Sequence, residues 1–470
     1  MPAKQISTAD IIFPELSGNS LSSTLSSLKR STLSTTNRLR SIASDAEFVC
    51  AVADAYQRPL VANERCGSWY IPLTRKTASA YFKSTDGHMG EWSFSLRRLN
   101  VQVLQVAGRH DGCVIVDSTR RGKRMPDALS KTIPTWCAVW NRLLFPDDPK
   151  AHQLYTPRQS VSESEHSQIT ARLDSFVHLA QELGLDLASL RVHLTKPLRP
   201  IWVTQESALP PSPPDFSDFH PIILCTSSRR VLGGEVSEGG YVQGAGDDAE
   251  SWSHGLTPQL FWENKHQLLE TAESELSELI SSLLEQESRN VNSAGTAAVV
   301  LRPATWLSVI PHASLQNATD FDAVIACTET PDAALQKQKK SKYCHLKCTT
   351  GKLGSRDLRT VIPAIEAFMR DLPVTDSLVI GCATGKDISV GVALAVLCLY
   401  TDDKGAFSSS CIPLNISRVM VALAATIFAR RSSDAFHHYF LGVPCVLPLV
   451  KHINPPHPSL TPLSFSEVPE

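Results

Sequence analysis

The residues best suited to chemistry follow an apolar run. Cys113, Val114, Ile115 and Val116 lead into Asp117, Ser118 and Thr119, and then into Arg120, Arg121, Gly122, Lys123 and Arg124. A carboxylate, two hydroxyls and four cations at the end of a buried strand can hold a phosphorylated sugar. Open α/β sheets place their ligands at the carboxyl ends of strands. A solvated basic turn would have the same composition, so the neighbouring motifs decide the reading.

Leu378-Val379-Ile380-Gly381-Cys382-Ala383-Thr384-Gly385-Lys386 repeats the pattern of an apolar strand entering a tight loop, and a helix leaves it at Ile388. Loop amides and a helix start can both face an anion. The loop resembles that of cysteine-dependent, dual-specificity protein phosphatases. Cys382 and Gly385 match, but Ile388 stands where that family has Arg and Gly381 where it has His. Without the guanidinium a phosphoryl transition state lacks its bidentate clamp. The loop is therefore not expected to catalyse: Cys382, Thr384, Gly385 and Lys386 either bind phosphate or an RNA backbone, or form a merely structural turn.

Two further loops carry acids. Thr85-Asp86-Gly87-His88 offers a carboxylate and an imidazole, and His88 could act as a base toward a hydroxyl; a surface turn is the plainer reading. Gly244-Ala245-Gly246-Asp247-Asp248 could cradle phosphate with Gly244 and Gly246, and hold Mg²⁺ or ribose hydroxyls with Asp247 and Asp248.

These loops need sheets to carry them. Leu21 to Gln57 reads as helix, and Ile201–Val203 and Ile222–Cys225 as strands. The stripe Leu268, Ala272, Leu276, Leu279, Ile280 and Leu283 predicts one long amphipathic helix. The pattern then restarts: strand at 343–348, helix at 355–370, strand at 377–381, helix at 388–400, and a last helix at 416–431. With 470 residues, two or three domains are expected. We divide the chain into a catalytic region, 1–335, and a second domain, 336–470.

The net charge of −2 hides basic stretches at 97–124 and 337–359, so it does not exclude a nucleic-acid partner. Twelve scattered cysteines form no zinc pattern and predict reduced thiols in a cytosolic or nuclear protein, the cytoplasm being the expected location. No apolar run is long enough to span a bilayer.

Taken together, the motifs resemble one family. They run in order: Arg65-Cys66-Gly67-x-Trp69-Tyr70, Tyr81 to His88, Phe94 to Asn100, Asp117 to Arg124, Tyr241 to Asp248, Gly255 to Pro258, and the Cys382 loop. The chain is similar to the initiator methionyl-tRNA 2′-O-ribosyl phosphate transferases of fungi and plants. The resemblance implies an α/β catalytic region followed by a dual-specificity-phosphatase-like α/β domain, non-catalytic and tRNA-binding. It implies transfer of ribosyl phosphate from phosphoribosyl pyrophosphate to the 2′-hydroxyl of a T-stem adenosine of initiator tRNA, which excludes that tRNA from elongation. A monomer needing Mg²⁺ is expected. On this reading Ser118, Thr119, Arg120, Arg121, Gly122, Lys123 and Arg124 hold the donor, and Asp117 meets ribose or metal. Asp86 or His88 helps deprotonate the acceptor. The rivals are a non-catalytic tRNA-binding adaptor and a phosphatase acting through Cys382.

Overall fold

The computed structural model describes residues 33–232, 239–294, 298–301, 304–315, 320–337, 342–349, 351–373, 377–385, 388–402 and 405–408. They form two compact units. The first holds the residues up to Phe94, with Asn100–Asp174 and His193–Leu284; the second holds Ser95–Leu99, Ser175–Val192 and the chain from Glu285.

In the first unit helix α1 (Thr35–Tyr56) precedes strands β1 (Leu60–Asn63), β2 (Lys76–Ala80), β3 (Cys113–Asp117), β4 (Leu198–Val203) and β5 (His220–Thr226). All pair in parallel, in the order β2-β1-β3-β5-β4. β3 and β5 are buried along their whole length, as parallel strands covered on both faces must be. Pro200 falls on the edge strand β4, where a missing N–H is tolerated. The connection from β1 runs to one side, and β3 begins the other side of the sheet. The β1/β3 seam is thus a topological switch point, where a ligand crevice opens beyond the strand ends.

Helix α1 buries Leu39, Ile42, Ala43, Ala46, Val49, Val52 and Ala53, a helical stripe that joins the core of β1 and β3. Its start is capped twice. The Ser34 hydroxyl accepts from the Asn37 amide, and the Glu273 carboxylate accepts from the amides of Thr35 and Thr36 at 3.0 and 2.7 Å. This use of Glu273 corrects the expectation of one long helix from Leu268. The stripe is split into α2 (Lys265–Glu270) and α3 (Glu273–Ala294), with Glu273 at the break turned toward α1.

The second unit carries β6 (Val299–Val300), β7 (Leu307–Pro311), β8 (Ala323–Thr328), β9 (Lys342–Lys347) and β10 (Leu378–Cys382), in the order β6-β7-β10-β8-β9. Only β6 is antiparallel. The sequence division at 335/336 falls between β8 and β9, which pair along six residues of this one sheet. Helices α4 (Gly351–Arg370) and α5 (Ile388–Tyr400) belong to the same unit, and α5 is buried almost entirely. The helix expected at 416–431 lies outside the described residues. No helix among the described residues is long and apolar enough to cross a membrane, and the ten described cysteines are free thiols.

Candidate active site

The site is built on the β1/β3 seam. Asp117 ends β3, is fully buried, and has both carboxylate oxygens engaged. Oδ1 accepts from the Ser118 amide (2.7 Å), Arg65 Nη2 (3.0 Å) and the Cys66 thiol (3.1 Å); Oδ2 accepts from Asn63 Nδ2 (2.8 Å) and Arg65 Nε (3.4 Å). Asn63, at the end of β1, also bonds both backbone groups of Phe82, which fixes the entry to the Asp86–His88 turn.

Arg65 extends the network. Its Nη1 donates to Asp247 Oδ2 at 3.3 Å, and Nη2 donates to the Ser118 carbonyl. Burial opposes the Arg65 charge, but the carboxylates of Asp117 and Asp247 outweigh it and hold the guanidinium well above its usual pKa. Burial raises the Asp247 pKa, and Arg65 partly offsets this. The Cys66 thiol is pushed far up by burial and then by the two carboxylates, so it stays protonated and is no nucleophile.

The glycine–aspartate loop closes over the basic loop. Arg120 reaches Asp247 Oδ2 at 3.6 Å and bonds the Asp248 carboxylate. Gly244 has φ +67, and a Cβ there would lie 2.6 Å from the Thr119 carbonyl oxygen and 2.5 Å from Arg120 Cγ. Only glycine permits both the backbone angle and this approach. The Gly246 amide donates to Tyr70 Oη (2.8 Å), which meets Ser118 Oγ (3.1 Å).

The amides of the basic loop are largely committed to the protein. Ser118 N bonds Asp117, Thr119 N bonds Ser228 Oγ, Gly122 N bonds Gln243 Oε1 and Lys123 N bonds the Arg120 carbonyl. Any anion held by this loop would therefore meet chiefly its side chains. Arg121 and Gly122 both have left-handed backbone, φ +56 and +68, a sharp reversal that leaves the Arg121 and Lys123 side chains exposed. Arg124 pairs with Glu206 at 3.1 Å, and Lys123 lies 3.7 Å from Asp127.

Several expected residues take other positions. Asp117 was expected to meet ribose or metal, but its oxygens already hold five donors, which makes it the organiser of the site. Asp247 and Asp248, expected to ligate Mg²⁺, hold guanidinium groups. With Arg65 bridging the two buried carboxylates, these residues do not build a cation site, and no three His, Cys, Asp or Glu side chains among the described residues converge to hold a metal. His88 is half-exposed and 3.7 Å from Asp127, and neither His88 nor Asp86 is among the partners of Asp117. The one buried carboxylate oxygen in the site without a partner among the described residues is Asp247 Oδ1. Sequence reasoning did not assign Asn63, Arg65, Cys66 or Tyr70. The Arg-Cys-Gly directly after an apolar strand was the available signal.

In the second unit Cys382 ends β10. Its thiol lies 3.2 Å from Ser389 Oγ and 3.8 Å from Thr384 Oγ1. Gly385 has φ +64, and a Cβ there would strike the Pro311 nitrogen at 2.5 Å. Ile388, at the arginine position of phosphatases, is buried in the core and cannot face a ligand. Lys386 lies outside the described residues.

Two family models match this chain: the Rit1 N-terminal domain over residues 28–285 and the Rit1 DUSP-like domain over residues 342–423. The chain belongs to the Rit1 family. A relative from Saccharomyces cerevisiae, tRNA A64-2′-O-ribosylphosphate transferase, is 32% identical over 443 residues, covering 82% of this chain and 86% of its own. An uncharacterized protein of Schizosaccharomyces pombe is 39% identical over 382 residues, covering 78% and 82%. The Rit1 N-terminal match contains the whole Asp117–Arg65–Asp247 network, and the Rit1 DUSP-like match contains the Cys382 loop.

Proposed function

We propose that this chain is a tRNA-modifying transferase that moves 5-phosphoribosyl from phosphoribosyl pyrophosphate to the 2′-hydroxyl of adenosine 64 of initiator tRNA, in the cytoplasm. Family membership and the similarity to the A64 transferase of Saccharomyces cerevisiae support the reaction class. The observation that carries the donor assignment is the cationic loop at the switch point, with Arg121 and Lys123 exposed beside a rigid carboxylate–guanidinium base.

In this reading the bond from ribose C1 to pyrophosphate breaks through an oxocarbenium-like state, and the tRNA 2′-oxygen forms the new bond to C1 while its proton passes to the departing pyrophosphate. Charge gathers on the leaving pyrophosphate, and fixed cations stabilise it more in the transition state than in the ground state. Arg120, Arg121, Lys123 and Arg124 supply those cations. Asp117 and Arg65 keep the loop in place, and Asp247 ties the glycine–aspartate loop to it through Arg65 and Arg120. Donor affinity, measured calorimetrically, is expected to fall about tenfold in Arg121→Ala or Lys123→Ala, with tRNA affinity little changed. Unchanged donor affinity would remove the loop from the donor site.

A phosphatase acting through Cys382 is disfavoured by the buried Ile388. A non-catalytic adaptor would have no need of buried carboxylates organised around a cationic loop.

A further inference from the structure

Two arginines outside every motif sit against the donor loop. Arg229 and Arg230 follow β5 and are exposed. Arg230 Nε donates to the Gly122 carbonyl at 2.8 Å. The Arg229 guanidinium lies 4.4 Å from the centroid of the Tyr241 ring, and its amide donates to Tyr241 Oη at 2.7 Å. Tyr241 Oη meets both oxygens of the buried Asp45 at 2.9 and 3.0 Å. Gln205 Nε2 joins Asp45 Oδ1 (2.7 Å) to the Ser227 carbonyl (2.6 Å).

Side chains at 45, 205 and 241 thus lock a short segment beside the donor loop. Ser227 bonds the Asp117 carbonyl and Ser228 bonds Thr119, so the two serines brace the donor loop. Bracing does not require two arginines facing solvent. With Arg121 and Lys123 they place four exposed cations on two adjoining loops. A small donor engages few of them, whereas a polyanion engages several at once. Arg229 stacked on an aromatic face also loses little rotamer freedom on binding.

We propose that Arg229 and Arg230 form a contact surface for the phosphodiester backbone of the acceptor RNA, set directly beside the donor loop. The identity of that RNA rests on the function proposed above. The test is binding of initiator tRNA to the full chain across a salt series, using Arg230→Gln, Arg229→Gln with Arg230→Gln, and Arg230→Lys. The double variant is expected to lose about tenfold in tRNA affinity and about 1.5 in salt slope, with melting temperature near wild type and a smaller loss of donor affinity through the freed Gly122 carbonyl. Arg230→Lys is expected to regain the slope, because it keeps the charge. Wild-type tRNA affinity and slope in the double variant would overturn the surface, as would a loss confined to donor affinity. If wild type binds tRNA through these arginines but transfers nothing, the surface stands and the transferase reading falls. If wild type binds no tRNA, both fall.

Discussion

The Asp117 loop and the Cys382 loop are two versions of one device. Each leaves a fully buried parallel strand and turns through a left-handed glycine, Gly122 in the first and Gly385 in the second. They differ in what fills the loop. Around Asp117 the chain invests two buried carboxylates, a bridging guanidinium and four further cations. Around Cys382 the arginine position of phosphatases is taken by Ile388, packed into the core, and the loop's own cation, Lys386, lies outside the described residues. A shared strand-end geometry therefore does not decide the function; the side chains set on it do.

The sharpest way to break this contrast is Arg65→Ala. It leaves Asp117 and Asp247 buried without their shared counter-ion, and removing one partner of a buried pair costs about 3–5 kcal/mol. We expect a collapse of the denaturation midpoint together with loss of transfer, and only partial recovery in Arg65→Lys, which lacks the fork. A variant with wild-type stability would mean that the network is not held by this residue.

Asp45 gives a pH signature confined to the first loop. Burial pushes its carboxyl from 3.8 up to about 8, against hydrogen bonds from Tyr241 and Gln205 and the charge of Arg229. The folded pKa is the higher one, so the folded state binds the proton more tightly. This contribution to stability is complete below about pH 4 and is lost as pH rises through about 8. Asp45→Asn cannot ionise and should lose less stability than wild type between about pH 6 and about pH 9, by about 3 kcal/mol in urea titrations. Parallel curves would show that Asp45 is not held neutral.

At the smallest end, Cys382→Ser should leave transfer within about twofold of wild type, and neither form should turn over a generic phosphomonoester. A dead serine variant would reinstate a nucleophilic cysteine and erase the contrast between the loops.

What could be read from the chain follows from the range of each interaction. The Asp117–Arg124 run and helix α5 announce themselves locally, through apolar runs and clustered charge. Arg65 stood in view, but its partners lie 52 and 182 residues away, and nothing local says which carboxylate a cation will meet. The same distance hid Asp45, whose partner Tyr241 is 196 residues on. Asp117 looked like an open ligand because its five donors come from four different residues. The split between α2 and α3 was invisible because a continuous apolar stripe does not show that Glu273 leaves it to cap another helix.

The most direct test of the central claim is pyrophosphate release from phosphoribosyl pyrophosphate, measured with and without initiator tRNA, in wild type and in Arg121→Ala. We predict release that requires the tRNA, matches the phosphoribosyl incorporated mole for mole, and falls about tenfold in the variant at subsaturating donor. No tRNA-dependent release by wild type, or equal release by the variant, would contradict the assignment of the Asp117 loop as the donor site.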